Sequence, residues 1–224
     1  MPDMMKLRLK FAKAGDMRWL SHLEVTRAWR RIVARAGLPV AYSEGFSPHA
    51  KIALSPALPV GVGSEAEYAD IVLSDRVAPG EALDRVNISA PMGLRAAAAR
   101  TLDLRAPTLG SSIKVVDYRL SVARELSEAD IATALNSGPA SLLSVERGSK
   151  RTAATFRLPV EAKLSILILS IEESLELQST LRTIDRVAQW VLVDDRLVDP
   201  IDLDRPGMDE DGKAQRDINF DGRI

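Results

Sequence analysis

The chain has 224 residues, of which 46% are hydrophobic and 27% charged, the composition of an ordinary globular protein with a substantial core. It has no cysteine, which excludes disulfides, cysteine nucleophiles and cysteine-bound zinc or iron–sulfur centres within this chain. The net charge is −1, but residues 1–51 have ten Lys/Arg against four Asp/Glu, a local net of +6. This asymmetry predicts a surface for an anionic partner near the start of the chain.

The sequence has no apolar run of the roughly 18 residues that a membrane-spanning helix requires. Charged and apolar residues alternate near the start of the chain, where a signal peptide would have an apolar centre. A cytoplasmic protein without a membrane partner is therefore expected, and no cofactor is expected in this chain.

The first hundred residues have the pattern of a β-α-β-β-α-β series. Residues 6–11 alternate between basic and apolar side chains, which predicts a strand. Ser21-His22-Leu23-Glu24 has capping-box spacing and predicts a helix to about Ala36, ended by Gly37. Strands over 51–54, 68–73 and 94–100 and a helix over 79–86 complete the ferredoxin-like, split βαβ arrangement.

The second half is predicted to follow a similar order of elements. The predicted strands cover 113–122, 142–147, 152–158, 163–169 and 191–193, with helices from Ser127 to about Asn136 and over 179–190. We therefore expect an α+β fold of two ferredoxin-like lobes in tandem, at 1–104 and 113–193, joined by a linker at 105–112. Residues 194–224 are acid-rich and predict a flexible tail.

The predicted helix over 21–36 has two chemically different faces. At about 100° per residue, its apolar residues gather on one side, and His22 falls there too. Four arginines fall on the opposite side and are here called the arginine arc: Arg27, Arg30, Arg31 and Arg35. One acidic residue, Glu24, offsets the four, and the planar guanidinium suits phosphate. The arc, with Lys51, therefore predicts RNA binding, while a solvated face or an acidic protein partner stays open. The basic residues of the first strand are expected on the far side of the sheet, as a separate basic surface.

Residues 42–49 form a turn-rich segment that contains two aromatic residues and predicts a substrate-contact loop. Its candidate contacts are Tyr42, Ser43, Glu44, Gly45, Phe46, Pro48 and His49. His22 is expected to be neutral and packed under the helix. The alternative enzyme hypothesis is a metal-independent RNA endonuclease that uses His22, His49 and Tyr42 in acid–base roles. No metal site is expected beyond half of a calcium loop in the tail, formed by Asp217, Asn219 and Asp221.

Five segments in order resemble the radical-SAM-linked protein family. They are Ser-His-Leu-Glu at 21–24, Arg-Ala-Gly-Leu-Pro at 35–39, Tyr-Ser-Glu-Gly-Phe-Ser-Pro-His at 42–49, Leu-Pro-Val-Gly-Val at 58–62 and Ser-Glu-Ala-Glu-Tyr-Ala-Asp at 64–70. The resemblance is specific over 6–100 and looser over 101–193, and Ala50 stands where the pattern has proline.

This resemblance implies that the chain assists a radical SAM enzyme. Because the chain lacks cysteine for the cluster, that enzyme is a separate polypeptide. A more distant, fold-level similarity to the repeat-associated RNA-binding proteins of CRISPR systems implies RNA binding. Together these similarities favour a non-catalytic accessory protein that binds or presents an RNA or ribosome-related substrate. A protein–protein scaffold is a third hypothesis.

Overall fold

A computed structural model describes residues 4–136, 138–177 and 181–203 of the chain. The described strands are β1 (Met5–Lys13), β2 (Ile52–Leu54), β3 (Gly63–Leu73), β4 (Ala96–Leu102), β5 (Ile113–Val122), β6 (Ser141–Gly148), β7 (Arg151–Pro159), β8 (Leu181–Val193) and β9 (Arg196–Val198). The described α-helices are α1 (His22–Arg35), α2 (Pro79–Ser89), α3 (Leu109–Ser112), α4 (Glu128–Leu135) and α5 (Leu164–Ser174). Turns of 3-10 helix lie at Gly15–Trp19, Met92–Leu94 and Pro200–Asp202.

The strands form one sheet in the order β4-β1-β3-β8-β5-β7-β6, with β2 paired to β3 and β9 paired to β8. In the first half the order is β4-β1-β3-β2, and in the second half it is β8-β5-β7-β6. The described pairings are antiparallel except where β3 meets β8, in parallel, at Gly63–Asp185 and Ser64–Arg186. The predicted α+β class is therefore confirmed, with a mostly antiparallel sheet that runs through both halves.

Alternate residues of β3 belong to two different hydrophobic cores. Ala69, Ile71 and Leu73 pack with β1, α1 and α2, whereas Ala66 and Tyr68 pack into the core that contains β5, β7, α4 and α5. Because successive strand residues point to opposite faces of a sheet, the two cores lie on opposite faces of β3. Helix α1 thus covers one face of the first half and turns its other side to solvent.

The basic residues of β1 do not form the expected exposed surface. Arg8 is fully buried and makes a bidentate ion pair with Asp70, with N···O distances of 2.6 and 2.8 Å. The Lys6 ammonium donates to the carbonyl of Ala106 at 2.6 Å, and Lys10 pairs with Asp199 at 2.7 Å. These partners are 62 to 189 residues away in the sequence, so local patterning gave no sign that they would cover the strand.

Two predicted elements of the second half were wrong. Residues 163–169, predicted as a strand, begin α5, because a short apolar run does not by itself distinguish a buried strand from a helix. Residues 179–190, predicted as a helix, lie largely in β8. The polar side chains of Arg186 and Gln189 are buried in β8, so the strand lacks the apolar alternation that would have identified it.

The first part of the segment predicted as a tail, residues 194–203, has regular structure and packs against the sheet. Arg196–Val198 is β9, and Asp199 accepts hydrogen bonds from the Tyr68 hydroxyl at 2.7 Å and from Lys10. Burial, followed by the Asp199 carboxylate, raises the pKa of Tyr68 well above its usual range, so the hydroxyl stays a donor. Acidic residues that are paired internally do not favour disorder. Residues 204–224, with the calcium half-loop Asp217, Asn219 and Asp221, lie outside the described residues.

The predicted linker packs against the sheet. Leu109 at the start of α3 is fully buried in the core of the second half. The carbonyl of Pro107 accepts a hydrogen bond from Arg8 at 3.3 Å. The connection between the halves is therefore anchored on both of them.

The capping box at the start of α1 is confirmed. The Glu24 carboxylate accepts from the backbone N–H of Ser21 at 2.8 Å and from its hydroxyl at 2.7 Å, and the Glu24 N–H donates back to Ser21. We expect Ser21→Ala to lower the free energy of unfolding by about 1 kcal/mol, the usual cost of a lost N-cap. Urea unfolding measures this, with Ser165→Ala, an exposed serine in α5, as the matched control.

The same cap predicts a pH dependence. Hydrogen bonds from Ser21 hold the pKa of Glu24 below its ordinary value of 4.5. A carboxyl group with a lowered pKa stabilises the fold fully above its unfolded value, and this contribution is lost as the pH falls through the lowered one. The difference between wild type and Ser21→Ala should therefore shrink as the pH falls below the ordinary Glu24 pKa of 4.5. The part of the difference that comes from the Glu24 N–H bond to Ser21 should persist at acid pH. A difference that does not shrink at all contradicts the role of the Glu24 carboxylate, and an equal loss in the control contradicts the cap.

Candidate nucleic-acid interface

The arginine arc lies on the exposed side of α1, as predicted. Val25, Trp29, Ile32 and Val33 are buried against the sheet, while all four arginines of the arc are exposed. Within the part of the chain that the structure describes, none of the four makes an ion pair or a side-chain hydrogen bond. Four unpaired guanidinium groups on one helix face create a local positive potential that an anion would neutralise.

Aromatic packing fixes the helix that presents the arc. Trp29 is fully buried and meets Phe11 of β1 edge to face, with ring centroids 4.7 Å apart and an interplanar angle of 60°. The buried Trp29 indole nitrogen has no hydrogen-bond partner among the described residues. Burying an N–H group without a partner costs free energy. The volume of the Trp29 ring is therefore what this position requires for α1 to pack against the sheet.

The segment 42–49 forms a hairpin loop. Tyr42 and Ala50 form an isolated β-bridge, the Ser43 N–H donates to the His49 carbonyl at 2.9 Å, and the His49 N–H donates to the Ser43 hydroxyl at 3.0 Å. At the apex Phe46 is 110% exposed relative to its reference state, and Tyr42 is 58% exposed. The structure therefore brings Tyr42, Phe46 and His49 together on one protruding loop with free side-chain surface.

The remaining residues of the loop either determine its backbone conformation or lie exposed near its apex. Gly45 adopts a φ of +115°, a conformation that favours glycine, and Glu44 and Pro48 are exposed beside it. Lys51 lies just past the loop with an exposed side chain, while its backbone bonds Ala41 and Val72. Lys51 thus adds a cation at the base of the loop.

His22 does not pack under the helix as expected. It is exposed, because a helical side chain leans over the preceding turn of its own helix, and His22 is the first residue of α1.

His22 and the loop lie at opposite ends of the first half. His22 follows the end of β1, which pairs with Ser64, whereas the base of the loop bonds Val72. Eight residues of β3 between those points span about 26 Å. The structure therefore brings His49 and Tyr42 together and leaves His22 apart from them.

Sequence reasoning missed Trp19, which lies just before α1. Its ring is 65% exposed and rests against Gly61, where an added Cβ would lie 3.1 Å from Cζ3 of the indole. The Arg18 carbonyl next to it accepts from the Gly61 N–H at 2.9 Å and from the Lys13 ammonium at 3.0 Å. The sequence signal was a tryptophan two residues ahead of Ser21, where the capping box begins, at a position outside the apolar pattern of the helix.

A metal centre finds no support within the described ranges. They contain no group of three or more His, Asp or Glu side chains that could hold an ion. Two carboxylates near the middle of β3, Glu67 and Asp70, are buried in ion pairs with arginine. No helix in the described part of the chain is long and apolar enough to cross a membrane.

A comparison with protein families finds one matching description. Residues 6–188 match the family described as "Uncharacterized protein conserved in bacteria (DUF2344)". The chain belongs to this family. The match spans β1 through most of β8, so it includes the arginine arc, the 42–49 loop and Trp19. A comparison with curated proteins found no match.

Solved structures share only weak overall similarity with the chain. An unknown protein from Galdieria sulphuraria is 10% identical, with 82% of this chain and 98% of that one covered and a TM-score of 0.27. The small subunit of acetolactate synthase from Thermotoga maritima is 11% identical, with 83% and 94% covered and a TM-score of 0.24. A microcompartments protein from Desulfitobacterium hafniense DCB is 14% identical, with 80% and 92% covered and a TM-score of 0.23. Similarities at this level carry no argument about function.

Proposed function

We propose that this protein is a non-catalytic, cytoplasmic accessory protein that binds an RNA or ribosome-related substrate through α1 and the 42–49 loop. The observation that carries the proposal is the arginine arc, four exposed arginines that make no ion pair or side-chain hydrogen bond among the described residues. Surface arginines in a solvated helix normally alternate with acids at i,i+4 spacing, and this arc has none on its own face apart from Glu24. Glu24 is held by Ser21 in the capping box and interacts electrostatically with Arg27, so it offsets one arginine of the four.

Phosphate is the anion that best fits the arc. Arginine binds two phosphate oxygens with its planar fork, and it is always charged at physiological pH. From Arg27 to Arg35 the helix rises eight residues, or about 12 Å, so the arc is longer than the roughly 3.4 Å axial spacing of phosphates in each strand of a duplex. The arc can therefore contact successive phosphates of one strand.

The partner in this proposal is a radical SAM enzyme on a separate polypeptide, as the five sequence motifs imply. The chain has no cysteine to bind a cluster, so radical chemistry would belong to that partner. Co-purification from the native host tests this part. Recovery of a radical SAM protein with the chain is expected, and repeated absence of one overturns the partner assignment while leaving RNA binding open.

We also propose that the chain is organised as two ferredoxin-like lobes in tandem, at 1–104 and 113–193. The support is the recurring strand order, β4-β1-β3-β2 in the first half and β8-β5-β7-β6 in the second. In this arrangement the first lobe presents the RNA-binding residues, and the second lobe supports the edge of β3.

Fluorescence anisotropy with labelled RNA tests the proposed function. Replacing Arg27, Arg30, Arg31 and Arg35 together with alanine should abolish most of the affinity, because phosphate contacts dominate nucleic-acid binding. The matched control replaces four other exposed cations of the same total charge, Arg105, Arg147, Lys150 and Arg151. Equal loss in both variants contradicts a specific arc, and intact RNA after incubation with a chelator separates binding from the ribonuclease hypothesis.

A further inference from the structure

We infer that the bound RNA is a single strand, with one base stacked on Trp19 at the N-terminal end of α1. This inference rests on the proposed RNA-binding function and names the form of RNA that the surface accepts. Base-paired RNA buries its base faces within the helix, whereas single strands offer them to aromatic side chains. An exposed aromatic ring on a surface that also presents arginines therefore favours binding of single-stranded RNA.

Trp19 is held in position while most of its ring stays in solvent. The turn before α1 is anchored through Arg18, whose carbonyl accepts hydrogen bonds from Gly61 and Lys13 and whose guanidinium pairs with Asp185 at 3.0 Å. The ring lies against Gly61, which adopts a φ of +86° and leaves room for the indole. A rigid and exposed indole loses little conformational entropy when a base stacks on it.

Trp19 lies in the turn that leads into α1, and the arc begins about one helical turn into that helix. Leu23, which is exposed in the first turn of α1, precedes Arg27 by four residues, or about 6 Å of helix rise. The 14 residues of α1 span about 21 Å, and the chain then leads into the loop with Phe46 at its apex. The surface thus has an aromatic side chain beyond each end of the helix and cations between them.

The residues near Trp19 include exposed apolar side chains, which also suit a protein partner. Leu23, Val60 and Met92 are each more than half exposed, and the 3-10 turns that contain Trp19 and Met92 lie against each other, with the Ala14 N–H donating to the Gly93 carbonyl at 2.9 Å. The positive charge of the adjacent helix face favours RNA over a protein partner. The helix face that continues from Leu23 has four unpaired arginines, and a polyanion of regular charge spacing neutralises that row more completely than scattered carboxylates do.

The experiment compares a single-stranded RNA of about ten nucleotides with a duplex of the same length, by anisotropy and by tryptophan fluorescence. Trp190→Phe leaves Trp19 as the exposed indole, since Trp29 is fully buried, and its emission should be quenched as the single strand saturates the protein. Trp19→Ala should weaken single-strand binding by about tenfold and Trp19→Phe by far less, in line with the usual loss of one stacked base. Met92→Ala is the matched control and should bind as the wild type does.

Each outcome decides between named alternatives. Stronger binding of the duplex, or unchanged affinity in Trp19→Ala while the arc variant loses RNA, overturns the single-strand inference and leaves the proposed function standing. Failure of the wild type to bind either RNA overturns the proposed function itself. If Trp19→Ala and Met92→Ala both keep RNA affinity but lose a co-purifying protein, the apolar surface is a protein interface and the inference is wrong. Circular dichroism melting of each variant verifies that it is folded.

Discussion

Replacing Glu67 with alanine should lower the free energy of unfolding by about 3–5 kcal/mol, because it leaves a buried arginine without its counter-charge. Arg186 is 2% exposed, and its guanidinium pairs with Glu67 at 3.0 Å. Burial alone would lower the pKa of Arg186, but Glu67 and then Tyr118 outweigh it, so the group stays charged. Among the described residues, the guanidinium without Glu67 keeps neutral acceptors, the Tyr118 hydroxyl and the carbonyls of Pro56 and Ala57.

This ion pair joins the two halves of the sheet at β3 and β8, whose backbones pair over a short stretch. Strands β3 and β8 share two residue pairs, and Glu67 on β3 meets Arg186 on β8 beside them. Urea unfolding measures the effect, followed by both tryptophan fluorescence and circular dichroism. The double variant Glu67→Leu with Arg186→Met should recover much of the loss, since replacing a buried pair with apolar residues is often neutral. A loss below about 1 kcal/mol in the single variant contradicts this account.

The second large effect is expected at Trp29. Trp29→Ala should lower the free energy of unfolding by about 3–5 kcal/mol, as cavity-forming changes at buried tryptophans do. Trp29→Phe should cost much less, because phenylalanine keeps the aromatic contact with Phe11 and removes an indole N–H that has no partner among the described residues.

Chemical denaturation of the two variants side by side tests this expectation. Similar losses for Trp29→Phe and Trp29→Ala contradict it, because they would indicate that the indole nitrogen is satisfied in solution. RNA affinity provides a second readout. Since Trp29 seats α1 on the sheet, Trp29→Ala should also weaken RNA binding even though the residue cannot touch the ligand.

The sequence predicted the first half of the fold well and the second half less well. Residues 6–11 alternate and Ser21 caps α1, so local patterns and the final structure agree there. Residues 163–169 are apolar in five of seven positions, and a strand and a buried helix both satisfy such a run. In β8 the partners of the buried Arg186 and Gln189 are Glu67 and the carbonyl of Ala66, which are distant in the chain. Local periodicity cannot reveal pairings of that range.

The sequence also predicted some residues of the candidate site correctly and others wrongly. The arginine arc followed from helical periodicity alone, and the structure exposes all four residues. His22 was misplaced, because periodicity gives the side of a helix on which a residue falls but not what lies beyond the helix end. Trp19 was missed because its exposure depends on Gly61, a residue 42 positions later that provides the surface under the ring. Long-range contacts, not local propensity, decide which aromatic residues stay free to bind.

The salt dependence of RNA affinity tests the central claim most directly. For single strands, the slope of log affinity against log salt is about −0.7 for each phosphate neutralised. Removing the four arginines of the arc should therefore make the slope shallower by roughly 3 between about 50 and 200 mM salt, while the control with four other cations replaced keeps the wild-type slope. An affinity that does not depend on salt, or an arc variant with the wild-type slope, would contradict RNA binding by this surface.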